Sequence, residues 1–312
     1  MKSYLPKTDK YVNLSLLDGG SLAADLALMH AGSPHEKFRL YDWAFHIHNP
    51  SERKNAIWDL GMAPNKSDYS TFVGDNYWNQ LEIAGPRESI PHQIFRRHGI
   101  PASEVESVIF SHAHFDHCYP IRGIFPNSTG YFGPGTKEFC SPGHLEDPKS
   151  QWDGRFFDPI HSTERWETLR GPWVPFGPFD KAMDFFGDGS FWVIQAPGHM
   201  PGNLCACAHL GSGDWVLLGS DCCHSRSLFD GTEEIAEFPL PDGSRGCLQM
   251  DLPAAGETIA RLRTLERDFG VHIALAHDVS WILDGGNKVL TSLIEPELLR
   301  IAQVKCPQNA IL

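Results

Sequence analysis

The sequence predicts a layered α/β fold, and three observations carry that prediction. Strand-like apolar runs come first, then a helix, then further strands and two more helices, an order that suits an α+β layered sandwich better than a regular βαβ repeat. Four of the buried-looking runs are each followed at their C-terminal end by a His or an Asp. Of 312 residues, 41% are hydrophobic and 21% charged, a globular composition that allows a sizeable core.

The elements follow in order. A strand is expected over residues 11–17, closed by a turn at Asp18-Gly19-Gly20-Ser21, with others over 41–48 and 55–59, the last stopped at Gly61. Residues 90–98 read as a helix, because Pro91 suits a first turn and Gly99 a stop. Val105, Val108, Ile109 and Phe110 make 104–111 a buried strand. Residues 118–198 are rich in Trp and Phe but repeatedly broken by Pro and Gly. We read about 130–190 as an aromatic-rich folded insertion within a single domain spanning 1–312. Buried strands follow at 191–195 and 215–218. Ile259, Leu262, Leu265 and Phe269, spaced by three and four residues, make 253–269 the clearest helix. A strand over 271–276 and a helix over 295–304 close the chain.

Bulk properties narrow the function. The formal charge of −13, with no Lys/Arg cluster, argues against a nucleic-acid partner, which needs a basic surface to displace counterions. No run approaches the roughly 18 apolar residues that span a bilayer. Residues 1–20 carry no apolar signal core, so cytoplasmic residence and no membrane partner are expected. Eight cysteines are present, including Cys205, Cys207, Cys222 and Cys223. They form no CxxC…CxxC set, so reduced, buried thiols are the expectation.

The chemistry concentrates at His112-Ala113-His114-Phe115-Asp116-His117. Three imidazoles and a carboxylate within six residues are the donor types that Zn²⁺ and similar divalent ions prefer. A preceding strand fixes one end of this loop. His199 in Pro197-Gly198-His199-Met200-Pro201-Gly202, Asp221 in Gly219-Ser220-Asp221, and His277 in Ala276-His277-Asp278 each follow a similar strand. The expected result is a set of donors along one sheet edge. A solvated polar loop is the plain alternative for the first cluster.

With HxHxDH followed by His, Asp and His, the chain resembles the metallo-β-lactamase superfamily from about Leu40 to Asp278, with Trp58-Asp59-Leu60-Gly61 near its start. The resemblance implies an αββα sandwich and two divalent ions, of which zinc is the first expectation. Iron, manganese and cobalt are not separable from it by ligand type. It assigns His112, His114 and His199 to one ion and Asp116, His117 and His277 to the other, with Asp221 bridging. Asp59 would orient a ligand histidine. The implied enzyme is a metal-dependent hydrolase, lactonase- or lactamase-like, opening a cyclic ester or amide, with Asp116 also carrying a proton to the leaving group.

The PGHxPG segment resembles the N-acyl-homoserine lactonase branch, where Asp-x-x-Tyr is common. Here Asp221-Cys222-Cys223-His224 puts His224 at the Tyr position, as a candidate catalytic hydrogen-bond donor or as a histidine that merely supports the ligands. Trp152, Phe156, Phe157, Trp166 and Trp173 are candidates for walling a compact pocket for an aromatic lactone, lactam or cyclic carbamate. A satellite core is the plain reading of each. His46 and His48 share one strand face and are read as structural. Four alternatives are less favoured: a glyoxalase II-like thioesterase, which lacks its expected basic cluster; a nuclease of this fold, disfavoured by the acidic charge; a flavodiiron-type protein, which would carry Glu where His114 stands; and a metal-binding scaffold without turnover. The expected partner is a small-molecule substrate. A homodimer fits the resemblance, with no interface legible in the chain.

Overall fold

The computed structural model describes residues 4–240 and 242–305. The chain divides into two compact units, and the two six-stranded sheets of the mixed α/β structure fall mainly one to each. The first unit comprises Asn13–Leu22 and Tyr41–Arg170. The second takes the remaining described residues, chiefly Ala23–Leu40 and Gly171 onward.

The first sheet runs β1 (Asn13–Asp25), β2 (Lys37–Asn49), β3 (Lys54–Trp58), β4 (Ser107–Ile109), β5 (Thr129–Phe132) and β6 (Trp166–Thr168) in that spatial order. β2 and β3 pair antiparallel, whereas β3 to β6 are parallel. The expected turn at Gly19-Gly20 is absent, because β1 continues through it. These glycines serve close approach instead. A Cβ on Gly19 would lie 2.7 Å from the Asp42 carbonyl oxygen, and one on Gly61, at φ +68°, would collide with the Gly19 backbone. The Met62 N–H donates to the Gly19 oxygen at 2.6 Å. Bare backbone lets the loop after β3 lie directly against β1.

The helix Ile90–His98 has the predicted bounds, with Pro91 in its first turn and Gly99 left-handed at φ +70°. β4 is shorter than the expected 104–111. Ala102–Glu104 closes a single turn of 3-10 helix, and beyond Ile109 the chain leaves the sheet toward the histidine loop.

The stretch 130–190 supplies strands to both sheets, so it is integral to the fold rather than inserted. β5 and β6 belong to the first sheet, and β7 (Val174–Phe176) and β8 (Phe179–Asp184) to the second. Short strands broken by Pro and Gly hide the period-two pattern. Its aromatics build the first unit's core. Phe132 stacks on Phe110 at 4.7 Å and meets Phe156, Phe157 and Trp166 edge-on at 5.5, 5.1 and 5.5 Å. Edge-to-face contacts of this kind add about 0.5–1.5 kcal/mol per pair beyond area burial.

The second sheet has the order β14 (His272–Leu275), β11 (Trp215–Ser220), β10 (Leu204–His209), β9 (Phe191–Gln195), β8, β7. β11 and β14 are parallel and the other pairs antiparallel. A small hairpin, β12 (Phe238–Pro239) with β13 (Arg245–Gly246), completes the strands. β10 was not expected. Its Leu204-Cys205-Ala206-Cys207-Ala208 run is buried between two neighbours, where small residues suffice. The helix Leu252–Phe269 buries Ile259, Leu262 and Leu265, as its spacing predicts. Each such side chain contributes about 1.5–3 kcal/mol of burial. The Asp251 carboxylate caps the Ala254 N–H, and Gly270 ends the helix in a left-handed turn. The closing helix is Pro296–Lys305.

Seven cysteines lie among the described residues, all free; Cys306 lies outside them. Burial raises the thiols of Cys118, Cys205 and Cys207 well above their ordinary range, so they stay protonated and apolar in character. Among the described residues, no helix is long and apolar enough to cross a membrane.

Candidate metal centre

In each unit the chemistry sits just beyond strand C-termini. In the first unit, β3 and β4 run parallel with Trp58 opposite Ile109, so Asp59 and the 110–117 loop leave the sheet side by side. Asp59 occupies the left-handed region at φ +55°, a conformation that Asp tolerates through local hydrogen bonding. Its own N–H donates to the Ile109 oxygen at 3.0 Å. Its Oδ1 accepts the Ser111 N–H at 2.7 Å, and its Oδ2 lies 3.0 Å from His117 Nδ1. A proton on Nδ1 bonded to that carboxylate leaves Nε2 as the donor atom of His117. Ser111 Oγ stands in the same relation to His112 Nδ1, at 2.9 Å.

The imidazoles of this loop converge. The His112 ring lies 4.7 Å from His114 and 4.3 Å from His117, and Asp116 Oδ2 is 3.9 Å from His117 Nε2. His112 and His117 are fully buried, Asp116 is 9% exposed, and His114 is half-buried. The burial argues against a solvated loop.

The second unit supplies a matching set. β9 and β11 both pair antiparallel with β10 and so run in one direction, while β14 lies parallel to β11. His199, Asp221 and His277 therefore emerge at the same edge. A register shift between Leu218 and Ser220, with Ser220 at φ +45°, re-aims the chain just before Asp221. The loop bearing His199 is clamped by the start of the long helix. Met250 N–H donates to the His199 oxygen at 3.0 Å, Asp251 N–H to the Gly198 oxygen at 2.9 Å, and Thr258 Oγ1 to the Pro197 oxygen at 2.6 Å. A Cβ on Gly198 would lie 2.4 Å from Ala255 Cα, so only glycine permits this clamp.

Asp221 is the hub. Its Oδ1 lies 3.1 Å from His277 Nε2, and its Oδ2 lies 3.4 Å from His199 Nε2 and 3.3 Å from His224 Nε2. Ligand atoms about 2.1 Å from a tetrahedrally held divalent ion are spaced by roughly 3.4 Å. The spacing, the burial of all four residues at 3–6% exposure and the nitrogen and oxygen chemistry fit divalent metal binding. His199, Asp221 and His224 also form a tight group by themselves, each offering an atom within 4.8 Å of the others.

The pocket candidates separate. Trp152, half-buried, stacks on His114 at 5.6 Å and 18°, with Phe139 edge-on to it at 5.5 Å. Phe156 and Phe157 are 1% and 2% exposed and belong to the aromatic core with Trp166, whose Nε1 donates to the Phe156 oxygen at 2.7 Å. Trp173 lies in the second unit, just ahead of β7. His46 Nε2 and His48 Nδ1 both bond Asn55 Oδ1, at 3.1 and 3.0 Å, consistent with their structural reading. Sequence reasoning missed Gln249, which is 2% exposed. Its Nε2 donates to the Asp221 carbonyl oxygen at 3.0 Å and lies 3.4 Å from His224 Nδ1. No local motif marks it, because its partners are 25 and 28 residues away.

Comparison with known proteins agrees with this geometry. No protein-family model matches the chain. A metallo-hydrolase from Annulohypoxylon moriforme is 32% identical over 264 residues, covering 73% of this chain and 67% of that protein. A gamma-lactamase from Fusarium pseudograminearum is 30% identical over 195 residues, 56% of this chain and 42% of that one. The chain also spans about a quarter of several longer relatives named as cytochrome P450 monooxygenases from Penicillium. A solved N-acyl homoserine lactone hydrolase, with its product N-hexanoyl-L-homoserine at the catalytic metal centre, superposes with a TM-score of 0.61. Its sequence identity is 18%, over 88% of this chain and 95% of that one, a likeness of fold. With its two mixed sheets, its buried His and Asp donors at strand ends and these relatives, the chain belongs to the metallo-β-lactamase superfamily of metal-dependent hydrolases.

Proposed function

We propose that this chain opens a compact cyclic amide or ester, a lactam, lactone or cyclic carbamate with an aromatic ring, at a dinuclear metal centre. His112, His114 and His199 would hold one ion, Asp116, His117 and His277 the other, and Asp221 would bridge. The observation that carries this reading is the division of labour at Asp221, with one carboxylate oxygen facing His277 and the other His199. Two oxygens turned toward different histidines would let Asp221 serve both ions. Divalent ions in such a set lower the pKa of bound water toward about 7 and polarise a carbonyl.

The chain's own residues supply the rest. Asp59 and Ser111 fix the ring orientations of His117 and His112. Asp116, slightly exposed beside His117, would carry a proton to the leaving nitrogen or oxygen. His224, with Nε2 3.3 Å from Asp221 Oδ2, would serve as a hydrogen-bond donor. Trp152 offers an aromatic face next to His114, which favours a flat ring over a long acyl chain. The gamma-lactamase relative supports the amide end of the range.

The test is metal analysis of purified protein followed by a hydrolysis panel. The panel holds an aromatic cyclic carbamate, an aromatic γ-lactam, an aromatic lactone, a long-chain acyl homoserine lactone and a thioester. Preference for the aromatic rings, lost on chelation and restored by zinc, is expected. Equal rates on all five substrates, or fully metallated protein inert to every one, refutes the proposal.

A further inference from the structure

His224 can play two incompatible parts beside Asp221. Its Nε2 can be a further metal ligand, as the compact group with His199 and Asp221 would allow, or it can carry a hydrogen and donate. A neutral imidazole has one N–H and one acceptor nitrogen, and whatever faces Nδ1 decides which is which.

Gln249 faces Nδ1. Its amide is held with the nitrogen end toward the site, because that nitrogen lies 3.0 Å from the Asp221 carbonyl oxygen, which only accepts. The same nitrogen lies 3.4 Å from His224 Nδ1. Turning the amide over would set two oxygens against each other and leave the Asp221 carbonyl without this donor. The amide therefore presents a donor to Nδ1, which must accept. The proton of a neutral His224 then sits on Nε2, 3.3 Å from Asp221 Oδ2. Gln249 Oε1 is buried and has no hydrogen-bond partner, a cost that natural interiors rarely carry without a reason. The loop holds Gln249 in place from both sides, with Cys247 Sγ donating to its carbonyl oxygen at 2.7 Å and the neighbouring Met250 N–H bonded to His199.

We infer that Gln249 is a positioning residue that fixes His224 in its Nε2–H form, so that His224 serves as a hydrogen-bond donor at the edge of the metal centre and is kept out of the ligand set. The inference deepens the proposed function and rests on it for the donor's catalytic use, but the tautomer is read without substrate. A histidine at this position acts as a donor toward Asp221 only if its proton is held on Nε2, and Gln249 supplies that constraint.

The test uses full-length zinc-loaded protein with ¹⁵N-labelled histidine. The native protein should show His224 with a protonated Nε2 and an unprotonated Nδ1. In Gln249→Glu the carboxylate accepts at Nδ1, so the proton should move to Nδ1 and expose the Nε2 lone pair toward Asp221. The visible spectrum of the cobalt-substituted variant should then change as His224 joins the ligands, and kcat/KM should fall by about 10- to 100-fold. Gln249→Met, which removes the donor without adding a charge, should give a mixture of tautomers and an unchanged metal content. Native protein with the proton on Nδ1, a metal-bound Nε2 in native protein, or an unaltered His224 signature in both variants overturns the inference. A protein that shows the Nε2–H signature yet hydrolyses nothing in the panel overturns the proposed function and leaves the assignment of Gln249 standing.

Discussion

Asp59→Asn isolates how a buried carboxylate sets the character of a ligand histidine. Asp59 is 1% exposed and makes two side-chain hydrogen bonds, to the Ser111 N–H at 2.7 Å and to His117 Nδ1 at 3.0 Å. Asn tolerates the left-handed backbone at φ +55° and keeps an oxygen for Ser111. Its NH₂ group, however, turns a donor toward His117 Nδ1, which then gives up its proton and forces it onto Nε2. That removes the lone pair a metal needs. Loss of such a supporting carboxylate typically costs 10- to 100-fold in metal affinity, which converts to about 1.4–2.7 kcal/mol. Asp59→Ala is the harsher control. It leaves two buried donors unmet at about 1–3 kcal/mol each and puts Ala in a left-handed conformation costing about 1–2 kcal/mol more. The total of roughly 3–8 kcal/mol is comparable with the whole stability of a typical domain. Zinc titration against a competing chelator, run beside urea unfolding, separates the two effects. Asp59→Asn should keep a near-native urea midpoint and lose affinity, whereas Asp59→Ala should lose both. Wild-type metal affinity and stoichiometry in a folded Asp59→Asn protein would refute the reasoning.

Three further predictions follow from separate features. Phe132→Ala opens the aromatic core of the first unit and should cost about 3–5 kcal/mol, read as a lowered urea midpoint; a loss under 1 kcal/mol would show that this cluster does not hold the sheet. Trp152→Ala should raise KM for aromatic lactams and lactones by about 2- to 10-fold, from a ring contact of roughly 0.5–1.5 kcal/mol, and leave KM for aliphatic rings alone; an equal effect on both classes would assign Trp152 to supporting His114. Burial, with His98, His48 and Arg97 adding, holds the His46 imidazole down to about 3 in the folded state, against an ordinary value near 6.5. Between these values the unfolded chain binds the extra proton, so stability is present above about pH 6.5 and falls as pH drops, by up to about 1.4 kcal/mol per pH unit. Replacing His46 by Gln should flatten the urea-derived stability between pH 6.5 and 4.5, and equal slopes in the two proteins would contradict that account.

Much of the candidate site was legible because its residues are tied to strand ends. Apolar runs that stop at His, Asp or a glycine-rich turn can be read one at a time, and β4, β9, β11 and β14 each end a few residues before one of the candidate residues. The helices Ile90–His98 and Leu252–Phe269 were legible for the same local reason, since Pro, Gly and three-to-four spacing act within a single turn. What failed was whatever depends on a distant neighbour. Gly19 and Gly20 look like a turn in isolation, and only the approach of Asp42 and Gly61 reveals why they are bare. β10 carries small residues in place of bulky β-branched ones because β9 and β11 flank it on both sides. The Trp and Phe of 130–190 look alike in sequence, yet packing makes Phe156 and Phe157 core and sets Trp152 against His114.

The amino-acid order by itself determined the donor types, their attachment to successive strands and hence the family, because ligand chemistry and strand termination are local properties. Tertiary structure decided which oxygen of Asp221 meets which histidine, which ring nitrogen of His117 and His224 is engaged by a neighbour, and which aromatic ring stands beside a donor. Those are matters of a few tenths of an ångström between residues 20 to 60 positions apart, and they are fixed by the register of the sheets and the clamping of loops, neither of which a linear pattern encodes.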